Sequence, residues 1–370
     1  MECPHIPSIR MGRLLGQLLN KCGGRFPYSG TIEPTWRCNN NCVHCYCNLP
    51  VNDVEAKKKE LSFKEMCRII DELVELGCLW LLFTGGEPFV RKDFLDIYAY
   101  TKKKGIWVDI YTNATLITPK IADYLKKWPP KKVEITLYGA TKETYEKVTR
   151  VPGSFERCMR GVQLLLKRNI RMELKMMVFD INKHELNQVR SMVKGWGVSF
   201  RYDAILNPRL DGSKNNLRFR LPAEEVTEFE LEEKERLKAY RKKLLRSLGS
   251  YTNDLLHTCG AGRGTFQINP YGKLGGCALV RRPDYDLRKG SFREAWYEVF
   301  PRMLEEKKTR TTKCTKCQII SLCSVCSASS LLETGDAEEP VDYYCQIAHL
   351  KWEELKRFLE IREKEVISYG

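Results

Sequence analysis

The chain has 370 residues, of which 43% are hydrophobic, and this length and composition predict two or three globular domains. No apolar run approaches the ~20 residues that cross a membrane. The amphipathic stretch from Ile9 to Leu19 is interrupted by charge and lacks the continuous apolar region of a secretion signal. We therefore predict a cytoplasmic protein with no membrane partner.

The formal charge of +15 leaves two kinds of partner open. A basic surface binds the phosphates of nucleic acids, but it attracts an acidic peptide substrate equally well. Because the lysines cluster at predicted helix ends and in loops, as on a solvated surface, nucleic acid is the less favoured partner.

Six predicted strands alternate with helices between Thr31 and Asp203, and each is rich in β-branched or aromatic residues. Parallel strands joined by single helices form a sheet with right-handed crossovers. Six such units are fewer than the eight of a closed barrel, so we predict an α/β fold with a partial, splayed (β/α)6 barrel. Ligands bind at the C-terminal strand ends of such sheets. The predicted strands are residues 31–36, 79–83, 106–111, 133–138, 171–179 and 198–203.

Local signals mark several helix ends. Ser62 and Glu65 form a capping box before an apolar helical pattern that ends at Gly77. One long charged helix is predicted over residues 222–248, and a last helix over residues 347–367. The predicted organisation is an N-terminal segment (1–29), a core domain (30–215), a linker helix (216–250), a small cysteine-rich domain (251–350) and a C-terminal helix (351–370).

Sixteen cysteines are far more than a cytosolic chain of this length normally has. Because no secretion signal is predicted, metal or cluster binding explains them better than disulfides do. Ten of the sixteen fall into two spaced groups, and Cys67 and Cys158 lie at apolar helix positions that are typical of core thiols. The six scattered cysteines are Cys3, Cys22, Cys47, Cys67, Cys78 and Cys158.

The first group is a C-x3-C-x2-C loop, Cys38, Cys42 and Cys45, directly after the first predicted strand. Three thiolates can bind three irons of a cubic four-iron cluster and leave the fourth iron open for another ligand. A tetrahedral zinc site is the alternative, with His44 as fourth ligand. Since His44 lies between two of the cysteines, it is poorly placed to reach the same ion, and we favour the cluster.

The second predicted strand ends in Gly85-Gly86-Glu87-Pro88. A glycine pair allows backbone to approach a small ligand without a Cβ in the way. Both motifs follow strands at their C-terminal ends, so they predict one ligand site at that edge of the sheet.

Beyond residue 258 the strands become short and cysteines frequent. Too little apolar sequence remains for a self-sufficient core, so metal must help to stabilise this region. From spacing alone, two C-x2-C pairs could also bind zinc, although five residues between them is short for zinc knuckles. The cysteines of this region are Cys259, Cys277, Cys314, Cys317, Cys323, Cys326 and Cys345.

These motifs resemble a known superfamily. The cysteine loop followed by Gly-Gly-Glu-Pro resembles the radical S-adenosylmethionine (SAM) superfamily. The later pattern, a Cys, a Gly-x4-Cys, a C-x2-C-x5-C-x2-C block and a last Cys, resembles the SPASM extension of that superfamily. Together the two resemblances cover residues 30–350.

The resemblance implies a catalytic [4Fe–4S] cluster ligated by Cys38, Cys42 and Cys45, with SAM bound to its open iron. The strand-end rule also directs Arg201 and Asp203 toward the same mouth. For Thr136, the role of an ordinary strand residue stays equally open. The implied cofactor-binding residues are His44 at the adenine, Gly85, Gly86 and Glu87 at the methionyl amine, Thr136 at the ribose, and Asn113 at the end of the third strand.

The SPASM resemblance also implies two auxiliary [4Fe–4S] clusters. Such proteins often have a further cysteine a few residues after the first one, but this chain has none there, and Phe266 cannot ligate. We therefore expect the nearer cluster to have an iron that is open, water-bound or bound by substrate, unless Cys3, Cys22 or Cys47 is the fourth ligand. The implied ligands are Cys259, Cys277 and Cys326 for the nearer cluster, and Cys314, Cys317, Cys323 and Cys345 for the distal one.

The resemblance implies reductive cleavage of SAM to a 5′-deoxyadenosyl radical that abstracts hydrogen from a substrate. SPASM proteins commonly modify ribosomally made peptides or proteins, by thioether or carbon–carbon crosslinks or by oxidation, so we expect a peptide or protein maturase. We expect an electron donor of the flavodoxin or ferredoxin type. A peptide-recognition protein would be separate, because about thirty residues before the first strand are too few for such a domain.

Two alternatives remain from the sequence. One is the same radical chemistry on a small molecule or cofactor precursor. The remote alternative is a non-enzymatic zinc-ribbon protein that binds nucleic acid through its positive charge.

Overall fold

A computed structural model describes residues 11–47, 49–247 and 254–368, and its main element is a nine-stranded sheet. Six of the strands are parallel and adjacent in chain order, which confirms the predicted partial (β/α)6 barrel. The predicted ends of these six strands differ from the observed ends by no more than two residues. The strands are β1 (Ser29–Thr35), β2 (Trp80–Gly85), β3 (Trp107–Thr112), β4 (Lys132–Thr136), β5 (Met172–Met177), β6 (Ser199–Asp203), β7 (Thr265–Ile268), β8 (Lys273–Gly275) and β9 (Pro283–Asp286).

Alternation along the strands separates an apolar outer layer from a polar barrel interior. In β4, Val133 and Ile135 are fully buried and belong to the main hydrophobic core beneath the helices. Because successive side chains point to opposite faces of a sheet, Lys132, Glu134 and Thr136 face the interior instead. The interior of this barrel is therefore lined in part by charged side chains.

The cysteine-rich region extends the barrel sheet. Strand β7 pairs in parallel with β1, from Ser29 opposite Thr265 to Ile32 opposite Ile268, so the sheet order is β9-β8-β7-β1-β2-β3-β4-β5-β6. This pairing was not predicted, because its partners are far apart in the sequence. The five-part division of the chain remains a prediction, and its parts 1–29, 216–250 and 351–370 include residues outside the described ranges.

The local sequence signals that predicted helix ends agree with the structure. Ser62 accepts from the backbone N–H of Glu65 at 3.3 Å, and Glu65 Oε2 accepts from the backbone N–H of Ser62 at 2.7 Å, as in a capping box. Gly77 follows the helix with φ 78°. The helices are Met11–Lys21, Val54–Lys59, Phe63–Glu75, Phe94–Lys103, Pro119–Lys127, Lys142–Thr149, Ser154–Leu166, Leu186–Gly195, Ala223–Glu232, Lys234–Ser247, Phe292–Glu294, Phe300–Leu304, Ser327–Thr334 and Asp342–Ser368.

The predicted single helix over residues 222–248 is wrong. Two helices are observed, separated by Glu233, whose backbone is extended at φ −79° and ψ 107°. Glu233 caps the start of the second helix, because its carbonyl accepts from the backbone N–H of Leu237 and its carboxylate lies 2.6 Å from Arg236 Nε. An acidic residue at a helix start is favoured by the helix dipole, and the break turns the second helix toward the end of β6.

The last predicted helix begins five residues earlier than expected, at Asp342 instead of residue 347. Among the helices that the structure describes, none has the length and apolar character needed to cross a membrane.

Candidate active site and cysteine groups

The cysteine loop is fixed at the end of β1 by backbone pairing and by a buried ion pair. Residues Arg37–Cys38 pair in parallel with Leu49–Pro50. The Arg37 guanidinium donates to both carboxylate oxygens of Glu60, with Nε–Oε1 at 2.8 Å and Nη2–Oε2 at 3.0 Å. Both side chains are almost fully buried. A bidentate pair fixes geometry as well as charge, so the loop leaves β1 in a defined direction.

The thiols of Cys38, Cys42 and Cys45 are electrostatic neighbours. Burial, followed by the charge of Glu87, raises the pKa of Cys38 to about 12. Burial and the neighbouring Cys45 and Cys38 raise the pKa of Cys42 well above its ordinary value. Three adjacent thiolates repel one another in a buried site, and bound iron would neutralise them while releasing their protons. The donor set therefore fits an iron cluster.

Buried polar atoms of the loop also fit a bound cofactor. Asn40 is 3% exposed. Within the described ranges, neither its Oδ1 nor its Nδ2 has a hydrogen-bond partner, and the same is true of Nδ1 of His44. Since buried polar groups are normally paired, these atoms indicate that a polar ligand binds beside the loop.

Gly85 and Gly86 lie against the backbone of the cysteine loop. Gly85 has φ 110°. A Cβ on Gly85 would lie 2.4 Å from the carbonyl oxygen of Thr35, and one on Gly86 would lie 2.3 Å from that of Arg37. Close backbone approach was expected here, but the partner in the structure is the protein's own loop. Contact of these glycines with SAM remains a prediction.

Glu87 connects the end of β2 to the end of β3. Its side chain is fully buried and accepts from Thr112 Oγ1 at 2.8 Å and from the backbone N–H of Asn113 at 2.7 Å. Burial raises the pKa of Glu87 to about 7. The Asn113 side-chain amide in turn lies 3.7 Å from Cys38 Sγ. The structure therefore brings two predicted site residues and a cluster cysteine into one connected network.

His44 lies in an aromatic environment. Its ring centroid is 5.0 Å from that of Tyr138 and 5.0 Å from that of Phe179. Burial, followed by the charge of Lys175, lowers the pKa of His44 to about 3, so the ring is neutral at pH 7. A neutral ring among aromatics suits contact with a planar base, although its proposed contact with adenine remains a prediction.

The sequence analysis missed a charged network inside the barrel. Glu134 is 1% exposed, and its carboxylate lies 3.2 Å from Lys132 Nζ, 3.2 Å from Lys175 Nζ and 2.5 Å from Arg201 Nη2. Thr136 is half-buried directly above, opposite Lys175 in the register. Alternating polar residues in β4 and β5 were the available signal, because a barrel interior is usually apolar.

The nearer cysteine group of the C-terminal region comprises Cys259, Cys277 and Cys326. Burial raises the pKa of Cys277, and Cys326 and Cys259 raise it further, so the three thiols are neighbours. Phe266 points away from them, since its ring packs on Phe292 at 4.7 Å between centroids. Phe266 therefore lies in the hydrophobic core.

The distal group lines one cavity. Cys314, Cys317, Cys323 and Cys345 surround a space of 420 Å³. Burial, followed by the neighbouring Cys314, Cys345 and Cys317, raises the pKa of Cys323 to about 11. Four thiols around one cavity fit an iron–sulfur cluster with complete cysteine ligation.

The scattered cysteines that the structure describes lie in other places. Cys47 Sγ is 3.6 Å from the carbonyl of Gly85, beside the first cysteine group, and Cys22 is exposed just beyond the first helix. Cys78 and Cys158 are buried in the barrel core. Cys3 lies outside the described residues. Ligation of the nearer cluster by Cys3, Cys22 or Cys47 therefore stays a prediction.

A second cavity, of 520 Å³, joins the barrel mouth to the nearer cysteine group. Its wall includes Arg201 and Asp203 at the end of β6, and Cys326 and Tyr344 from the C-terminal region. Arg236, from the second of the two helices that replace the predicted linker, completes one side. Arg201 and Asp203 thus line a cavity at the end of β6, and their orientation toward the SAM site remains a prediction.

No three or more His, Cys, Asp or Glu side chains within the described ranges form a group that could bind a metal ion. Within each cysteine group, however, neighbouring thiols raise one another's pKa. A multi-iron cluster binds its thiolates at separate irons, whereas a tetrahedral zinc ion requires all its ligands at bond distance from a single point.

A partial (β/α)6 barrel with a three-cysteine loop at its mouth and a cysteine-rich extension defines a class of iron–sulfur proteins. Residues 32–193 match the Radical SAM superfamily. The barrel segment therefore carries a Radical SAM superfamily domain, and the chain continues into a region whose cysteine pattern resembles the SPASM extension. Members of the superfamily bind a [4Fe–4S] cluster and SAM, and catalyse radical reactions. The zinc-ribbon alternative is therefore set aside for the barrel cysteines.

Named relatives fall into two functional groups. The chain is 29% identical to an AdoMet-dependent heme synthase from Methanosarcina barkeri, over 75% of this chain and 85% of that protein. It is 27% identical to the antilisterial bacteriocin subtilosin biosynthesis protein AlbA from Bacillus subtilis, over 68% of this chain. The match covers 55% of AlbA, so the chain spans only about half the length of that relative.

The overall fold is similar to that of Streptococcus suis SuiB bound to its precursor peptide SuiA. The TM-score is 0.68 at 16% identity, with 94% of this chain and 84% of SuiB covered. Coverage of nearly the whole chain means that the likeness includes the cysteine-rich extension as well as the barrel. At this identity the likeness establishes the fold alone.

Proposed function

We propose that this chain modifies a ribosomally made peptide or protein, using a [4Fe–4S] cluster on Cys38, Cys42 and Cys45 together with SAM. When bound, the cluster and SAM supply a carbon-centred radical that abstracts hydrogen from the substrate. The observation that carries the proposal is the 520 Å³ cavity between the barrel mouth and Cys326. It provides space for several substrate atoms between the end of β6 and Cys326 of the nearer auxiliary group.

The residues around the loop position the cofactor and exclude water. Asn40 and His44 offer buried polar atoms that lack partners among the described residues, and these atoms are available to SAM. Thr136 is the last residue of β4, and Asn113 directly follows β3. Glu87 acts as a positioning residue, because its carboxylate is already engaged by Thr112 and Asn113. A closed, prearranged site protects a reactive intermediate from solvent.

The two C-terminal cysteine groups are proposed to bind auxiliary [4Fe–4S] clusters, the distal one with four cysteine ligands and the nearer one with three. The 420 Å³ cavity within the distal group supports this assignment. An external flavodoxin- or ferredoxin-type protein would supply electrons, and a separate protein could present the peptide.

Two findings support a peptide substrate. One relative of this chain is named for bacteriocin biosynthesis, and SuiB, which has the same fold, was solved with a precursor peptide. The cavity wall includes the charged side chains of Arg201, Asp203 and Arg236, which can hydrogen-bond to a peptide backbone. The chemical bond that is formed is left open between thioether formation, carbon–carbon crosslinking and oxidation.

The second candidate function acts on a small molecule. It is favoured by the heme synthase relative, which is matched over 85% of its length. The same cavity at the barrel mouth would then receive a cofactor precursor, and no peptide-recognition protein would be needed.

The decisive experiment compares both substrate classes on the reconstituted enzyme with SAM and a reductant. One arm uses peptides encoded by short reading frames beside the gene, and the other uses iron porphyrins. A peptide that gains or loses mass, with deuterium transferred from labelled peptide into 5′-deoxyadenosine, would confirm the proposal. Transformation of a porphyrin with no effect on any neighbouring peptide would overturn it in favour of the second function.

A further inference from the structure

The nearer auxiliary group has three cysteines for four irons, and the structure offers a nitrogen ligand beside them. His257 precedes Cys259 by two residues and is 5% exposed. Its Nδ1 lies 3.0 Å from the hydroxyl oxygen of Ser327, the residue that follows Cys326. The imidazole is thus tied to the chain segments that carry two of the three thiols.

The other ring nitrogen lacks a hydrogen-bond partner. Nε2 of His257 is buried and, within the described ranges, has no such partner. The carboxylate of Glu306 lies 3.6 Å from Nε2, a contact that would be an ion pair if the ring were protonated but is longer than a hydrogen bond. That carboxylate already accepts from both terminal nitrogens of Arg282, at 2.9 and 2.7 Å. A nearly buried ring nitrogen without a partner is rare in folded proteins and calls for a ligand.

We propose that Nε2 of His257 is the fourth protein ligand of the nearer [4Fe–4S] cluster. With Nδ1–H donating to Ser327, the lone pair of Nε2 is free to bind iron, and the bond forms without release of a proton. Ligating histidines typically donate their second ring N–H to a nearby acceptor, which fixes the tautomer and the ring orientation. Histidine replaces cysteine as an iron ligand in some iron–sulfur proteins and raises the reduction potential.

This inference rests on the proposed auxiliary clusters but not on cleavage of SAM. It also changes the expectation from the sequence, in which the fourth position was open or was bound by substrate. With His257 bound, the nearer cluster would transfer electrons and would not bind a substrate thiolate. The two possibilities therefore predict different spectra for the same protein.

The test uses the Cys38→Ala/Cys42→Ala/Cys45→Ala protein, reconstituted with iron and sulfide without SAM, so that the first cluster does not contribute. Pulsed electron paramagnetic resonance of the reduced protein should show strong coupling to a directly bound nitrogen. That coupling should change when histidine alone is labelled with ¹⁵N. It should disappear in His257→Ala and persist in His184→Ala, a matched change at a histidine whose side chain is 63% exposed.

His257→Cys gives a second readout that does not depend on tolerance of alanine. It should keep the iron content, lose the nitrogen coupling and lower the midpoint potential of one cluster, because thiolate replaces imidazole. The proposal is overturned if ¹⁵N-histidine leaves the coupling unchanged, or if 2-mercaptoethanol alters the spectrum of the unsubstituted His257 protein as expected for an open iron. Normal SAM cleavage by the wild-type chain in either case would separate this failure from failure of the proposed function.

Discussion

The carboxylate of Glu87 accepts a hydrogen bond from the backbone N–H of Asn113 at 2.7 Å. This bond ties the end of β2 to the end of β3 at the point where the Asn113 side chain meets Cys38 Sγ, 3.7 Å away. Glu87 therefore acts on the first cysteine group through its neighbours. Because burial raises the pKa of Glu87, the stabilisation that this residue contributes depends on pH.

Glu87→Gln should change how stability varies with pH. Burial raises the pKa of Glu87 to about 7, so the folded protein binds this proton more tightly than the unfolded chain does. The resulting stabilisation is complete below the unfolded value near 4.5 and is lost as the pH rises to about 7. The free energy of unfolding of wild type relative to Glu87→Gln should fall by about 3 kcal/mol across this window.

Denaturant unfolding of the iron-free proteins at several pH values measures this difference. Glu143→Gln, at an exposed helix position, is the control and should show no such trend. A constant difference between wild type and Glu87→Gln from pH 4.5 to 7 would show that Glu87 titrates normally.

Replacing Cys38, Cys42 and Cys45 together by alanine should abolish formation of 5′-deoxyadenosine from SAM, because the iron that binds SAM is lost. Chromatography after anaerobic reduction gives the yield. Cys67→Ala, at a half-buried helix position, should retain wild-type activity. Unchanged product from the triple variant would rule out catalysis at this loop.

Anaerobic reconstitution should give about twelve irons per chain, as three four-iron clusters. The triple variant of the first group should bind about eight, and so should Cys314→Ala/Cys317→Ala, which removes half of the distal ligand set. Iron, sulfide and zinc are measured together. Stoichiometric zinc with less than one cluster of iron would refute the assignment of all three sites.

Gly86→Ala should prevent binding of the first cluster, although it changes none of the cluster's ligands. The added methyl carbon would lie 2.3 Å from the carbonyl of Arg37 and 2.6 Å from that of Trp36, so the cysteine loop must move. We expect about four irons to be lost. Gly195→Ala, where nothing lies within 4 Å of the new carbon, should bind iron normally. Full iron content in Gly86→Ala would mean that the loop tolerates displacement.

Glu134→Gln should destabilise the barrel by about 3–5 kcal/mol, because it removes the buried negative charge that three cations contact. These are Lys132, Lys175 and Arg201. Urea unfolding at neutral pH measures the loss. Glu156→Gln removes an ion pair of similar length whose side chains are 60% and 51% exposed, and it should have a much smaller effect, because solvent-exposed ion pairs contribute little to stability. Equal effects of the two substitutions would contradict a buried network.

The sequence determined those parts of the protein that depend on near neighbours in the chain. Alternation of strand and helix patterns predicted six parallel strands, and the Ser62 capping box is observed as expected. The spacing of Cys38, Cys42 and Cys45 predicted the first thiol group, whereas the resemblance to the SPASM extension implied the membership of the other two. These features are local because a cap, a strand pattern or a ligand loop is encoded within a few residues.

Only the tertiary structure decided which distant segments meet. Pairing of β7 with β1 joins residues more than two hundred positions apart, and the burial of Glu134 needs cations from two other strands. Packing ties Nδ1 of His257 to Ser327 and buries Nε2 without a hydrogen-bond partner among the described residues. Such arrangements depend on packing over the whole fold, where burial converts ordinary polar residues into groups that require a partner.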